Sequence, residues 1–220
     1  MVHSRLILAS GSPQRRKLLA AAGYRFETIK PAEAAESGCC STGGPAVLVA
    51  DLALRKAVDV VRQLAESQGE VATDASAGSV ILVACDTVAE CDGEILGKPA
   101  DVDHARKMLH RLRGRKHRVY TGVCVWHHSP ENALGRPDVQ VDITELEMEE
   151  LTDDQIEEYL MSDLWEGKAG AFGFQDRTGW LRILQGSESN VIGLPMDRLA
   201  KMLAPLGCFP KSSSNDGCAD

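Results

Sequence analysis

The stretch VILVACDTV, residues 80–88, joins an apolar run to an aspartate and a threonine. Such a run, rich in β-branched residues, predicts a buried strand over 80–85. Asp86 follows this strand, at the carboxyl end where α/β proteins place their active sites. A carboxylate there can activate water as a general base or bind a divalent cation, and it can equally be a turn or capping residue.

Further strands and helices alternate with this strand on both sides. Asp92-Gly93 predicts a hairpin turn shortly after it. The alternation of elements indicates an α/β fold. The remaining predicted strands are 5–10, 26–29, 117–126, 139–148 and 180–184, and the predicted helices are 13–23, 45–67, 102–112, one starting at 152 and one from 195 to about 206. The apolar stripe of the helix at 45–67 is predicted to contain Val47, Leu48, Leu52, Leu54, Val58, Val61 and Leu64.

The composition is that of one soluble globular domain followed by a short polar tail. The chain has 220 residues, of which 44% are hydrophobic and 25% charged, and residues 209–220 are expected to be disordered. Its seven cysteines are irregularly spaced without a C-x-x-C pair, which argues against a disulfide framework and a zinc site. No apolar run approaches a membrane span and the first residues lack a secretory pattern. We therefore expect a cytoplasmic protein without a membrane partner.

The charge is unevenly distributed along the chain. Twelve acidic residues and no lysine or arginine lie in 138–166, so the overall charge of −8 leaves +4 for the rest of the chain. The first 26 residues contain five basic residues and no acidic one. The acidic stretch and the absence of aromatic residues grouped with arginine argue against a nucleic-acid partner, whereas the basic first segment favours a small anion.

Three segments are candidates for binding that anion. In LASGSPQRRK, residues 8–17, a strand runs into a helix N-terminus that carries hydroxyl and guanidinium groups, which predicts a phosphate site unless Ser12 only caps the helix and the arginines are solvated. GEILGKP, residues 93–99, lacks the P-loop spacing, yet Lys98 can bind phosphate as a point charge. The glycines of GKAGAFGFQ, residues 167–175, allow close approach of backbone to a ligand, or form a packing seam.

Taken together and in this order, the motifs resemble the Maf family of nucleoside triphosphate pyrophosphatases. The resemblance extends over residues 6–203. Seven blocks carry it: S-x-S-P-x-R at 10–15, A-L-R-K-A at 53–57, C-D-T-V at 85–88, G-K-P at 97–99, Y-T-G at 120–122, K-A-G-A-F-G-F-Q at 168–175 and S-N-V-I-G-L-P at 189–195.

The resemblance implies one elongated α/β domain over about 1–208, similar to the inosine triphosphate pyrophosphatases, with a mixed central sheet, flanking helices and a central cleft. It also implies a homodimer that hydrolyses a nucleoside triphosphate to the monophosphate and pyrophosphate, with Mg²⁺ or Mn²⁺ as cofactor. Asp86 would accept the proton of the attacking water and bind the cation together with Glu33 or Glu36, both of which fit the loose alignment there. The implied phosphate ligands are Ser10, Arg15, Lys56 and Lys98.

Three positions bear on the choice of nucleotide. Family members that prefer dTTP and UTP resemble each other in an Arg after S-P, a Thr after the catalytic Asp and a Gln in the last Gly-rich block. Thr87 and Gln175 match this pattern, but Gln14 replaces the Arg. The subgroup acting on 7-methyl-GTP has S-P-W-R and an amide after the Asp, so the resemblance favours pyrimidine or modified pyrimidine nucleotides in a house-cleaning role.

Two alternatives stay open. One is a preference for 7-methyl-GTP. The other is a non-catalytic or dual-role regulator of septum formation and cell division, to which the family name is also tied. Retention of Asp86, Lys56 and Lys98 argues against an inactive protein.

Overall fold

A computed structural model describes residues 4–35, 43–69, 79–128, 135–176 and 179–211. Seven strands and six α-helices alternate along this part of the chain. The strands are β1 Arg5–Ala9, β2 Glu27–Ile29, β3 Val80–Cys91, β4 Glu94–Leu96, β5 Lys116–His128, β6 Asp138–Met148 and β7 Leu181–Gln185. The helices are α1 Pro13–Ala21, α2 Gly44–Gly69, α3 Val102–Leu112, α4 Asp153–Met161, α5 Glu188–Ile192 and α6 Met196–Leu203, with short 3₁₀ turns at Glu33–Ala35, Ala169–Ala171, Phe174–Asp176 and Ala204–Leu206.

The strands form one mixed sheet in the order β2-β1-β3-β5-β6-β7, with β4 paired to β3. β1 lies parallel to both β2 and β3, whereas β3, β5, β6 and β7 are antiparallel neighbours. Helices pack on both faces of this sheet. The α/β class with a mixed central sheet and flanking helices is therefore confirmed. The domain boundary at residue 208 stays a prediction, and residues 212–220 lie outside the described part of the chain.

β3 is longer than predicted, and this changes the setting of Asp86. The prediction that the strand ends at Cys85 is wrong, because pairing with β5 continues from Val80 to Glu90. β1 stops earlier, with Ala9 opposite Ala84. Asp86 is consequently inside β3, yet it lies just beyond the carboxyl end of the neighbouring parallel strand.

Local signals placed the helix starts correctly. The side chain of Ser12 caps α1 and Pro13 is its first residue. Asp101 caps α3, and Thr152 forms a capping box with Gln155 at the start of α4. The last predicted helix is shorter than expected, and α5 was missed because five residues are too few for a helical period.

The buried face of α2 differs from the predicted stripe. Val47 and Val58 were expected in the core, but they are 55% and 48% exposed. Leu52 of the stripe is buried, and Leu54, Val61 and Leu64 pack partly against the core. The helix also buries Val49, Ala53, Ala57 and Val60, together with Lys56 and Asp59. The two small alanine side chains let α2 lie close to the sheet.

Two hydrophobic clusters lie on the opposite face of the sheet. One joins β1, β3 and β5 to α1 and α6, and the other joins β3, β5 and β6 to α3 and α4. Cys85 belongs to the first and Ala89 to the second, so Thr87 lies between them on the strand. Within the described residues, no helix is long and apolar enough to cross a membrane.

Candidate active site

A cleft of about 450 Å³ opens beside Thr87, bounded by the β1–α1 loop, β3, α3 and the Gly-rich segment 166–173. Its volume is in the range of small-molecule sites. One part of the lining is apolar, with Leu112, Leu146 and Phe172 among its residues. The polar and basic lining residues include Ser10, Ser12, Gln14, Arg15, Lys30, Thr87, Lys98 and Lys168. Lys30 and Lys168 were not among the predicted ligands.

The β1–α1 loop is held by its own hydroxyl groups. The buried Ser10 accepts a hydrogen bond from the amide of Ser12 (N–Oγ 3.1 Å), and Ser12 accepts one from the amide of Arg15 (3.4 Å). Ser12 therefore caps α1, as predicted by the interpretation in which it is a capping residue. Since the same loop also lines the cleft, the cap and an anion site are compatible.

The same interpretation predicted that the arginines are solvated, and for Arg15 this is wrong. Its guanidinium donates to the carbonyl oxygens of Cys85 and Gly193, both at 2.8 Å, and to Oγ1 of Thr87 at 3.0 Å. Gly193 has φ +110°, and a Cβ there would lie 3.3 Å from Nε of Arg15. Arg15 thus joins α1, β3 and the α5–α6 turn while lining the cleft.

Thr87 is oriented by a chain of buried hydrogen bonds. Its Oγ1 lies 3.0 Å from Oγ1 of Thr121, whose hydroxyl donates to the carbonyl oxygen of Asn190 (3.1 Å). Because a hydroxyl has one proton, Thr87 must donate to Thr121, and its oxygen accepts from Arg15. Asn190 is fixed in turn by Thr144 (Nδ2–Oγ1 2.9 Å). Thr121 and Asn190 stand in the Y-T-G and S-N-V-I-G-L-P blocks, but their role escaped the sequence analysis.

The second part of the site lies on the opposite face of β3. Successive side chains of a strand point to opposite faces, so Thr87 meets the cleft and Asp86 meets α2. Nζ of Lys56 lies 2.6 Å from Oδ1 of Asp86, and the two side chains are only 4% and 15% exposed. The cleft lining includes neither residue. The structure therefore groups the predicted residues in two sets that meet at β3.

Glu33 belongs to a 3₁₀ turn that packs against α2. Asp59 of α2 anchors this turn by accepting a hydrogen bond from the amide of Ala32 (2.8 Å). That bond is the main reason why the pKa of Asp59 lies below its ordinary value, with smaller contributions from Gln63 and Arg62. Glu36, the alternative metal ligand, lies outside the described residues. Within the described ranges, no group of three His, Cys, Asp or Glu residues is placed to bind a metal ion.

A buried carboxylate holds the Gly-rich segment. Asp176 accepts hydrogen bonds from Nζ of Lys168, from the hydroxyl of Tyr159 (2.6 Å) and from the amide of Gly173 (3.1 Å). Burial first, and then the bond to Asp176, raise the pKa of Tyr159. Asp176 directly follows the last residue of the Gly-rich motif and was not predicted as a site residue. The backbone of Gln175 lies between this anchor and the cleft-lining Gly173, and its side chain is outside the described set.

The chain is similar to known proteins over nearly its whole length. The family model described as Maf-like protein matches residues 5–206. The chain belongs to the Maf family. A dTTP/UTP pyrophosphatase of Rhodopirellula baltica is 48% identical over 199 residues, covering 90% of this chain and 80% of that protein. Proteins of the same name from Moorella thermoacetica and Rhizobium meliloti are 39% and 38% identical, covering 93% and 94% of this chain and 96% and 94% of their own lengths.

Membership in the Maf family confirms the resemblance drawn from the seven motif blocks. The match spans both sets of site residues, from Ser10 in the β1–α1 loop to Lys98 after β4. The specific roles carried over to these residues stay proposals.

Proposed function

We propose that this chain is a nucleoside triphosphate pyrophosphatase that hydrolyses dTTP and UTP to the monophosphate and pyrophosphate. The observation that carries the proposal is the buried ion pair between Lys56 of α2 and Asp86 of β3, next in sequence to Thr87 of the basic cleft. The relatives named dTTP/UTP pyrophosphatase support the same reaction and the same substrates.

The pairing of β1 with β3 ends at Ala9 and Ala84, so no residue of β1 lies beside Asp86, and its carboxylate can reach a phosphate around this open edge of the sheet, next to the loop of Ser10. There Asp86 accepts a proton from the water that attacks the α-phosphorus. A new P–O bond forms to water, the bond to the oxygen bridging the α- and β-phosphates breaks, and pyrophosphate leaves. Lys56 holds Oδ1 of the carboxylate at 2.6 Å, which fixes the orientation of Oδ2 toward water. Positioning of this kind is a main source of catalysis in phosphoryl transfer.

The triphosphate is bound by the basic side of the cleft. Ser10, Arg15 and Lys98 line it, and its cationic groups oppose the charge of the phosphates. Arg15 keeps its bonds to Cys85 and Gly193 in this arrangement, so it shapes the phosphate site and adds positive charge to it. Lys56 acts from the other side of β3, through Asp86.

The residues present fit a divalent cation shared with the substrate. Mg²⁺ is commonly bound by one or two carboxylates together with phosphate oxygens, which needs no cluster of three protein ligands. Asp86 would hold the cation with Glu33 or Glu36, because a carboxylate that accepts the ammonium of Lys56 at Oδ1 has further lone pairs for a cation and for water. When bound, Mg²⁺ or Mn²⁺ would neutralise phosphate charge as a Lewis acid.

Specificity rests on Gln14, Thr87 and Gln175. Thr87 is fixed so that its hydroxyl proton is directed to Thr121, which leaves an acceptor lone pair for the substrate side. Gln14, in place of arginine, removes one positive charge from the cleft, so we expect a broader nucleotide preference than in relatives with the arginine.

Further properties are proposed on the family resemblance and composition. We infer a homodimer in the cytoplasm, one domain ending near residue 208, and no nucleic-acid or membrane partner. The described cysteines, Cys85, Cys91, Cys124 and Cys208, are free thiols, in agreement with a reducing compartment. Burial raises the pKa of Cys85 to about 11 and that of Cys124 to about 12, so neither is suited to be a nucleophile.

The test is pyrophosphate release from a nucleotide panel with Mg²⁺ or Mn²⁺. The panel contains dTTP, UTP, CTP, modified pyrimidine nucleotides and 7-methyl-GTP, and Asp86→Asn is measured beside the wild type. We expect release to be fastest from dTTP and UTP and to fall by at least about 10³-fold in the variant. Fastest release from 7-methyl-GTP would reassign the substrate. A folded wild type without release from any nucleotide would favour the regulatory alternative.

A further inference from the structure

Gly122 of β5 lies where α2 crosses the sheet, and here the two backbones are in contact. A Cβ atom added to Gly122 would lie 2.1 Å from the carbonyl oxygen of Val49, 2.4 Å from its carbonyl carbon and 2.8 Å from the amide nitrogen of Ala50. All three atoms belong to the backbone of α2, so no side-chain rotation relieves the overlap. Gly122 is not among the glycines with positive φ. Glycine is therefore required at position 122 because there is no room for a Cβ atom, and not because the backbone conformation is unusual.

The same glycine is the cross-strand partner of Asp86 in the β3–β5 pair. Residues directly opposite each other on antiparallel strands project from the same face, so Asp86 and Gly122 both face α2. Lys56 follows Val49 by two helical turns, about 10 Å further along the same side of the helix. Its ammonium group then meets Oδ1 of Asp86 at 2.6 Å.

Small residues continue the close contact toward Lys56. Ala53 and Ala57 of α2 pack in one buried cluster with Ala9 of β1 and Ala84 of β3. The helix thus approaches the sheet closely over the whole stretch from Val49 to Ala57, and Gly122 is the point where the approach is tightest.

We propose that Gly122 is a positioning residue of the active site: it lets α2 rest on the sheet and so holds Lys56 within hydrogen-bond distance of Asp86. The proposal rests on the function proposed above, in which Asp86 accepts the proton of water. Real Cβ contacts essentially never fall below 3.0 Å, so alanine at 122 forces α2 back by roughly 1 Å. A displacement of that size can lower a catalytic rate by about 100-fold.

Gly122→Ala tests this with two independent measurements. In its crystal structure, we expect the distance from Nζ of Lys56 to Oδ1 of Asp86 to open from 2.6 Å to roughly 3.6 Å, which is longer than a hydrogen bond. In pyrophosphate release, kcat is expected to fall by about 10- to 100-fold. KM for dTTP should change by less than about 3-fold, because the cleft residues lie on the other face of β3.

Val125→Ala is the matched control. Val125 is buried on the same strand but belongs to the cluster on the opposite face, with Val83 and Val123. Its truncation lowers stability without touching α2, so we expect a lower Tm with an unchanged kcat and an intact Lys56–Asp86 pair.

The outcomes separate this proposal from the proposed function. A pair that stays near 2.6 Å in Gly122→Ala overturns the inference whatever the activity, and so does an open pair with wild-type kcat. If the wild type releases no pyrophosphate, the proposed function fails. The Lys56–Asp86 distance in Gly122→Ala then still shows whether Gly122 positions Lys56. If Gly122→Ala does not fold, Ala53→Val lifts the same helix from its own side and must give the same opening and the same loss of kcat.

Discussion

Replacing Lys56 by methionine removes the partner of a carboxylate that is only 15% exposed. Methionine keeps most of the length and the apolar stem of lysine, so the packing of α2 against the sheet is retained. What changes is the charge balance, because Asp86 then lies in a poorly solvated position without its counter-ion. Breaking a buried pair in this way costs about 3–5 kcal/mol. We take the lower end, about 3 kcal/mol, because Asp86 keeps some contact with water.

The companion variants complete a double-mutant cycle. Asp86→Asn removes the carboxylate that pairs with the buried ammonium of Lys56, and we again expect a loss of about 3 kcal/mol. In the Lys56→Met/Asp86→Asn double variant neither charge remains, and replacing a whole buried pair is close to neutral, so we expect about 1 kcal/mol or less. The coupling free energy between the two sites is then about 5 kcal/mol in favour of the pair.

Urea unfolding and thermal unfolding at pH 7, both followed by circular dichroism, measure all four proteins. For a domain of this size, a loss of 3 kcal/mol lowers Tm by about 6–12 °C. The double variant should unfold within about 2–4 °C of the wild type, although all three variants lose pyrophosphate release. Additive effects, with the double variant least stable of all, would show that the Lys56–Asp86 contact carries no coupling and would refute the reasoning.

Two further predictions concern the groups that support this pair and the cleft. Thr121→Val keeps the shape of the side chain but removes the oxygen that accepts the proton of Thr87. We expect the preference for dTTP over 7-methyl-GTP, measured as the ratio of their kcat/KM values, to fall by about 3- to 10-fold. An unchanged ratio would contradict the role of that hydrogen bond. The lowered pKa of Asp59 means that its contribution to stability is present above about pH 4 and is lost as the pH falls through the lower folded-state value. Urea unfolding of Asp59→Asn should therefore differ from the wild type at pH 7 and approach it below pH 4, whereas a constant difference would exclude this linkage.

Local chemistry explains which parts of the fold could be predicted. The bounds of α3 were predicted residue for residue, because Asp101 caps the helix and Gly114 follows its end. The turn at Asp92-Gly93 was predicted for the same reason, since both residues adopt positive φ there. The end of β3 could not be predicted, because residues beyond Cys85 stay in the strand through pairing with residues of β5 that lie 28 to 36 positions later in the chain.

The arrangement of the site depended on that strand end. With β3 ending at Cys85, Asp86 and Thr87 would both lie in a loop and could face one cavity. Because the strand continues, its alternation sends Thr87 to the cleft and Asp86 to α2. The motif blocks therefore identified residues of the site without giving their division between two faces of the sheet.

Two of the seven residues predicted for the apolar stripe of α2 are exposed, for a reason that bears on function. An apolar stripe is the signal for a core-facing helix surface, and Val47 and Val58 were assigned to it on that signal. The surface that is buried instead carries Lys56 and Asp59, two charged residues that would be costly there without partners. Each has one: Lys56 binds Asp86, and Asp59 anchors the turn before Glu33. The helix thus exposes two of its valines while it buries two charged side chains that organise the site, and such departures from local pattern are expected at functional sites.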